Sequence, residues 1–101
     1  MFTAIYRWRL KPGMEEQFIE GWERVTRAIY ANCGSYGSRL HRCADGTWLG
    51  YARWPDAASR SACHHGDEEG SRLMSDAVAE LVDEITGEVA SDLLREPTSP
   101  R

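Results

Sequence analysis

From Phe2 to Leu10 apolar and polar positions alternate. Phe2, Ala4, Tyr6, Trp8 and Leu10 fall on one side, and Thr3, Ile5, Arg7 and Arg9 on the other, which predicts a strand with one strongly apolar face. Lys11-Pro12-Gly13 ends it, because proline lacks the ladder donor and glycine permits the turn. From Met14 the period becomes helical: Met14, Phe18, Trp22, Val25 and Ile29 form a stripe, with Glu15 and Glu16 in the first turn and Arg27 near the end. This helix should run to about Ala31, with Gly34 as its stop. The bland reading of the stripe is core packing, which leaves Trp22 as a back wall to any site.

Asp45-Gly46 then sits between two strand-like runs, Arg39 to Cys43 and Trp48 to Trp54. Asp-Gly is a strong signal for a two-residue type I′ turn, which needs positive φ at both central residues. That turn would place Ala44 opposite Thr47, Cys43 opposite Trp48, His41 opposite Gly50 and Arg39 opposite Ala52. One face would then carry Arg39, His41, Cys43, Trp48, Gly50, Ala52 and Trp54, and the other Leu40, Arg42, Leu49, Tyr51 and Arg53. On the first face two tryptophans bracket two residues with almost no side chain, beside a histidine and an arginine. This is either an aromatic-walled hollow or a sheet that needs small residues where a helix packs close.

Pro55-Asp56 opens a second helix, and His64-His65-Gly66-Asp67 interrupts it. A further helical stretch, about Glu68 to Val82, carries Leu73, Ala77, Val78, Leu81 and Val82. A fourth strand is expected from about Ile85 to Leu94, and residues 97–101 read as a frayed tail after a single domain spanning 1–96. The order strand, helix, strand, strand, helix, strand is the ferredoxin-like βαββαβ arrangement, an α+β fold with helices on one face of an antiparallel sheet. The other face also carries apolar residues, and a second copy of the chain is the economical cover, so a homodimer is expected.

The chain has 101 residues, enough for one domain with a modest core. A formal net charge of −4 argues against nonspecific nucleic-acid binding. No apolar run approaches the roughly 20 residues that span a bilayer. Met1 leads straight into a strand, with no signal-peptide pattern ahead of it. Cys33, Cys43 and Cys63 are odd in number and widely spaced, so three free thiols in a reducing cytoplasm are expected.

Cys63-His64-His65 with Asp67 suggests a metal cluster, but consecutive helical residues diverge and four converging ligands are needed, so no metal is expected. No Gly-x-Ser-x-Gly elbow is present.

Trp8-Arg9-Leu10-Lys11-Pro12-Gly13, Phe18 and Trp22, Asp45-Gly46-Thr47-Trp48 and Tyr51-Ala52-Arg53-Trp54-Pro55 together resemble the antibiotic-biosynthesis monooxygenase domain of the dimeric α+β barrel superfamily. The resemblance covers Phe2 to about Leu94. It implies a dimer that oxidises a small polyphenol- or hydroquinone-type aromatic with molecular oxygen and no cofactor. The alternative is a small-ligand-binding barrel without oxygenase activity. Carried over by position, the family's tyrosine and tryptophan match Tyr51 and Trp54. Its asparagine position holds Gly50, and its second-helix arginine position holds Met74, with Arg72 nearby. Tyr6 stands where the haem-degrading branch has an asparagine. Oxidation without a cofactor needs a deprotonated substrate, a donor for its oxyanion and a dry pocket. His41 is the candidate base, Arg39 the oxyanion partner and Tyr51 the third catalytic candidate. Trp54, Trp48, Gly50, Trp22, Tyr6 and Arg72 are the candidate substrate contacts.

Overall fold

In the computed structural model, which describes residues 1–64 and 66–95, the alternating run Phe2–Leu10 is strand β1. Its apolar side faces a helix layer, with Phe2, Ala4 and Trp8 buried. Gly13, at φ 80°, turns the chain into helix α1, Glu15–Cys33. Gly34 ends that helix at φ 74°, a left-handed stop that glycine adopts without steric cost. Strands β2, Ser38–Arg42, and β3, Trp48–Trp54, form the hairpin. Helices α2, Ala57–Ser61, and α3, Glu68–Ala77, follow. Each is N-capped by an aspartate: Asp56 accepts from Ser59 N at 2.7 Å, and Asp67 from Gly70 N at 2.7 Å. Strand β4, Val78–Glu88, completes an antiparallel sheet ordered β2-β3-β1-β4. This is the expected ferredoxin-like α+β fold.

Helices α1 and α3 cross where two glycines meet. A Cβ on Gly21 would lie 2.6 Å from Gly70 O, and one on Gly70 would lie 2.9 Å from Gly21 O. Arg24 Nε reaches Asp67 Oδ2 at 2.8 Å across the same crossing.

Three expectations need correction. The first concerns the last strand, which begins at Val78 rather than near Ile85, so α3 stops at Ala77 instead of continuing to Val82. Leu10 pairs with Val78, Trp8 with Leu81 and Tyr6 with Glu84, with register shifts between Arg7 and Trp8 and between Arg9 and Leu10. Those irregularities space the helix-facing positions of β4 three apart, which imitates helical spacing in the sequence.

The second concerns cysteine. Cys33 and Cys63 form a disulfide that ties the end of α1 to the chain after α2, and Cys43 is a free thiol. Two of the three expected free thiols are therefore paired, and the thiol-based argument for a reducing compartment falls away. The partners are 30 residues apart but only 5.4 Å apart at Cα, a proximity that only the packing of α2 creates.

The third is the hairpin register. Cys43 N donates to Thr47 O at 2.9 Å and Gly46 N to Cys43 O at 3.1 Å, so the loop is three residues long. Only Gly46, at φ 87°, is left-handed, because no residue other than glycine has positive φ among the described residues. A type I′ turn would force Asp45 there too. Asp45 instead uses its carboxylate to accept from Thr47 N at 3.0 Å and Thr47 Oγ1 at 2.6 Å. These bonds hold its carboxyl below the ordinary aspartate range. The ladder therefore pairs Ser38 with Ala52, Arg39 with Tyr51, Leu40 with Gly50, His41 with Leu49 and Arg42 with Trp48. A one-residue slip moves every β2 side chain to the other face. It sends Leu40 to the core and leaves Arg39 and His41 exposed.

No described helix is long and apolar enough to cross a membrane. The tail expected at 97–101 lies outside the described residues, as does His65.

Candidate functional site

The register divides the expected site residues between the two faces of the sheet. Trp48, Gly50, Trp54 and Tyr6 face the helices, and Trp22 meets them from α1. Arg39, His41 and Tyr51 lie together on the outer face. Tyr51 and Trp54, three positions apart on one strand, point to opposite sides. Arg72 joins neither set. It lies exposed on α3, bound to Glu69 and, at 3.0 Å, to Asp76.

The expected hollow between Trp48 and Trp54 is filled. A Cβ on Gly50 would lie 2.9 Å from Trp8 Cη2 and 3.8 Å from Trp22 Nε1. The missing side chain thus makes room for the Trp8 indole rather than for a ligand. Trp8 packs edge-on against Phe18 at 5.0 Å, and Phe18 does the same against Trp48 at 6.2 Å. The β1–β3 ladder sets this arrangement by pairing Trp8 with Trp48 and Tyr6 with Gly50.

Beside that core, a cleft of about 430 Å³ opens over the β1–β4 side of the helix face, lined by Trp8, Val25, Met74, Val78, Leu81 and two serines of α3. The Trp8 ring is also stacked on Tyr6, with centroids 5.6 Å apart and planes 11° apart. The Tyr6 hydroxyl accepts a hydrogen bond from Arg60 Nη2 at 2.6 Å, and the same nitrogen reaches Glu84 Oε1 at 3.0 Å. The hydrogen bond to Tyr6 pushes the Arg60 pKa up, against the opposing effect of burial. A phenol that accepts from a guanidinium keeps its own proton free to donate. The group is therefore a positively supported donor, one pleat along the sheet from an aromatic-floored cleft.

Arg60 and Glu84 were not among the expected site residues. Arg60 reads in sequence as one exposed cation on a short helix. Glu84 reaches the helix face because β4 pairs it with Tyr6, in a part of the chain read from sequence as the end of a helix and a loop. Neither position carries a local signal.

Another cleft of about 450 Å³ between α1 and β2 is lined by Trp22, Glu23, Leu40, Arg42 and Trp48, among others. There the Arg42 guanidinium lies 4.8 Å from the centre of the Trp48 ring, a cation–π contact that caps the core. Among the described residues, no group of three or more His, Cys, Asp or Glu side chains could hold a metal ion.

No protein-family model and no curated protein matches the sequence. Solved structures do. A mutant form of SnoaB from Streptomyces nogalater, a cofactor-independent oxygenase, superimposes with TM-score 0.71 at 16% identity, covering 93% of this chain and 97% of that one. A protein from Bordetella bronchiseptica, provisionally assigned as an antibiotic biosynthesis monooxygenase, gives 0.72 at 17%, covering 89% and 97%. Rv0793 from Mycobacterium tuberculosis gives 0.72 at 13%, covering 92% and 98%. The chain has the antibiotic-biosynthesis-monooxygenase fold. At these identities the likeness is one of fold, and a fold does not fix a reaction.

Proposed function

We propose that this chain is a cofactor-independent monooxygenase of a small phenolic or hydroquinone-type aromatic, acting in the cleft over β1 and β4. The Tyr6–Arg60 pair carries this reading. A phenol or anthrone transfers an electron to oxygen only once it is an anion. The Tyr6 hydroxyl, polarised by Arg60, donates to that oxyanion, while Trp8, Met74 and Leu81 provide an apolar wall for the aromatic body. In the reaction, the substrate passes a proton to water at the mouth of the cleft, and the resulting anion passes one electron to dioxygen. The radical pair joins as a C–O bond, the peroxide anion takes a proton back from water, and the hydroperoxide loses water to leave a carbonyl. One oxygen atom enters the product and the other leaves as water.

The proposal includes a homodimer. Ile5, Leu49 and Ile85 form an apolar strip on the outer face, with Ile85 56% exposed, and a second copy would cover it. The SnoaB likeness supports the oxygenase reading. The second reading, a ligand-binding protein of this fold without oxygenase activity, is favoured by Gly50 and Met74 at two positions the family uses for polar side chains.

The test is oxygen uptake with an anthrone or a hydroquinone and no added cofactor. Arg60→Gln and Tyr6→Phe should each slow it by about 10²-fold, the scale of a lost oxyanion donor. Binding that depends on Trp8 without oxygen uptake selects the second reading. Uptake indifferent to both substitutions contradicts the assigned roles.

A further inference from the structure

Arg60 sits on a helix with few holds of its own. Helix α2 is five residues long, none of them buried, and apart from Arg60 it consists of alanines and serines. Of its alanines, Ala57 packs, partly buried, against the core cluster of Phe2, Ala4, Ala52 and Trp54. Its backbone bonds are local: Ala62 N donates to Ala58 O at 2.9 Å and Cys63 N to Arg60 O at 3.2 Å. The Asp56 cap also binds within the helix. Among the described residues, the hydrogen bonds that join α2 to the sheet are those of the Arg60 side chain itself, to Tyr6 and Glu84.

One covalent tie adds to these. Cys63 closes the turn that carries Arg60, and its sulfur is bonded to Cys33, the last residue of α1. Helix α1 is 19 residues long and packs on α3 at the Gly21–Gly70 crossing, so its end is a fixed point. Both cysteines also pack against the Phe2–Trp54 cluster. The bridge thus links the rigid helix layer to the turn that places Arg60, and supplies the core contact that α2 lacks. Both cysteines are half-buried rather than enclosed, so an incoming thiol can approach them.

We propose that the Cys33–Cys63 disulfide is a redox latch on the proposed reaction site: closed, it holds Arg60 on the Tyr6 hydroxyl; open, it frees α2 and withdraws that support. This rests on the role given to the Tyr6–Arg60 pair in the proposed reaction. The opening agent is a dithiol. Its thiolate attacks one sulfur and forms a mixed disulfide, and the expelled cysteine thiolate takes up a proton. The second thiol of the reagent then displaces the other cysteine. Two electrons and two protons pass to the protein, which is left with two thiols, while the reagent becomes a disulfide. A low-molecular-weight disulfide reverses the exchange. Without the bridge, α2 is a segment with few buried apolar contacts, the kind that opens locally while the rest of the fold persists. Tyr6 then keeps its hydroxyl but loses the cation that polarises it.

The experiment compares the full chain oxidised, and again after reduction with dithiothreitol and removal of the reagent. A Cys43→Ser background keeps the free thiol out of the exchange. Amide hydrogen exchange is read beside oxygen uptake with an anthrone. Reduction should speed exchange at Ala62 and Cys63, whose amides close α2, by about tenfold or more, and leave the β1 and β3 amides unchanged. Uptake should fall toward the level of Arg60→Gln, and oxidised glutathione should restore both readings. In Arg60→Gln itself reduction should slow uptake no further, because the group on which the latch acts is already gone. Cys33→Ser combined with Cys63→Ser should behave as the reduced protein does. Unchanged exchange at Ala62 and Cys63, exchange that rises equally through the sheet, unchanged uptake, or further slowing of Arg60→Gln would each overturn the latch. No uptake by the oxidised chain would contradict the oxygenase reading instead, and hydrogen exchange alone then decides whether the bridge holds α2.

Discussion

The two faces of this sheet use the same residue types for opposite purposes. On the helix face aromatic side chains pack against one another, and guanidiniums lie against carboxylates or rings: Arg60 beside Glu84, Arg42 over Trp48, and Arg24 beside Asp67 in the helix layer. At the β2 end of the outer face Tyr36 and Tyr51 line a cleft, and Arg39, Arg53 and Arg95 stand without carboxylates among the described residues. An aromatic next to a glycine is core on one face, and an aromatic next to an arginine is cleft wall on the other. Residue type alone does not separate these cases, whereas the face a residue occupies does. That face is set by one turn at Asp45-Gly46.

Substitutions on the two faces should therefore differ sharply. Trp48→Ala should cost about 3–5 kcal/mol of stability, because Trp48 is 6% exposed and packs on Phe18. His41→Ala, from the same hairpin, should stay within about 0.5 kcal/mol, because His41 is exposed. Denaturant melts of the two variants measure the contrast. Equal costs would mean that the register, and with it the division of faces, is wrong.

Gly50→Ala sharpens the picture of the filled hollow. Its Cβ would press on the Trp8 indole, an overpacking that should cost about 1–3 kcal/mol. A neutral or stabilising result would show that free space exists above Gly50.

The smallest expected effect concerns the matched charges. The hydrogen bond from Arg24, and then that from Gly70 N, hold the Asp67 carboxyl below its ordinary value. A depressed folded-state pKa contributes stability that is present above the unfolded value, about 3.9, and is lost as pH falls through the folded value. Asp67→Asn should thus flatten the acid limb of a stability–pH profile and change little at neutral pH beyond the loss of a surface pair. An unchanged acid limb would show that the pair contributes nothing.

Much of the fold is legible in the sequence. The alternation in β1, the stripe on α1, the left-handed stop at Gly34 and the Asp56 cap are local signals, and each appears where expected. The rest depends on contacts between distant residues. The start of β4 is concealed by register shifts that give a strand the spacing of a helix. The Cys33–Cys63 pair requires α2 to be packed before the two thiols meet. The site was the least legible. His41 and Trp48 look like neighbours if Asp45 takes a left-handed conformation, and they separate once its carboxylate binds Thr47 instead. The sequence also shows Gly50 as an absence, while the ring that occupies its space comes from another strand.

The most direct test of this division is the pattern of Hα–Hα contacts across the hairpin in a nuclear Overhauser spectrum. Cys43 and Thr47 form a hydrogen-bonded pair, so the close Hα–Hα approaches fall at the alternate, non-hydrogen-bonded positions. The account predicts contacts between Arg42 and Trp48 and between Leu40 and Gly50. Contacts between Cys43 and Trp48 or between His41 and Gly50 would return the histidine to the tryptophan face and contradict it.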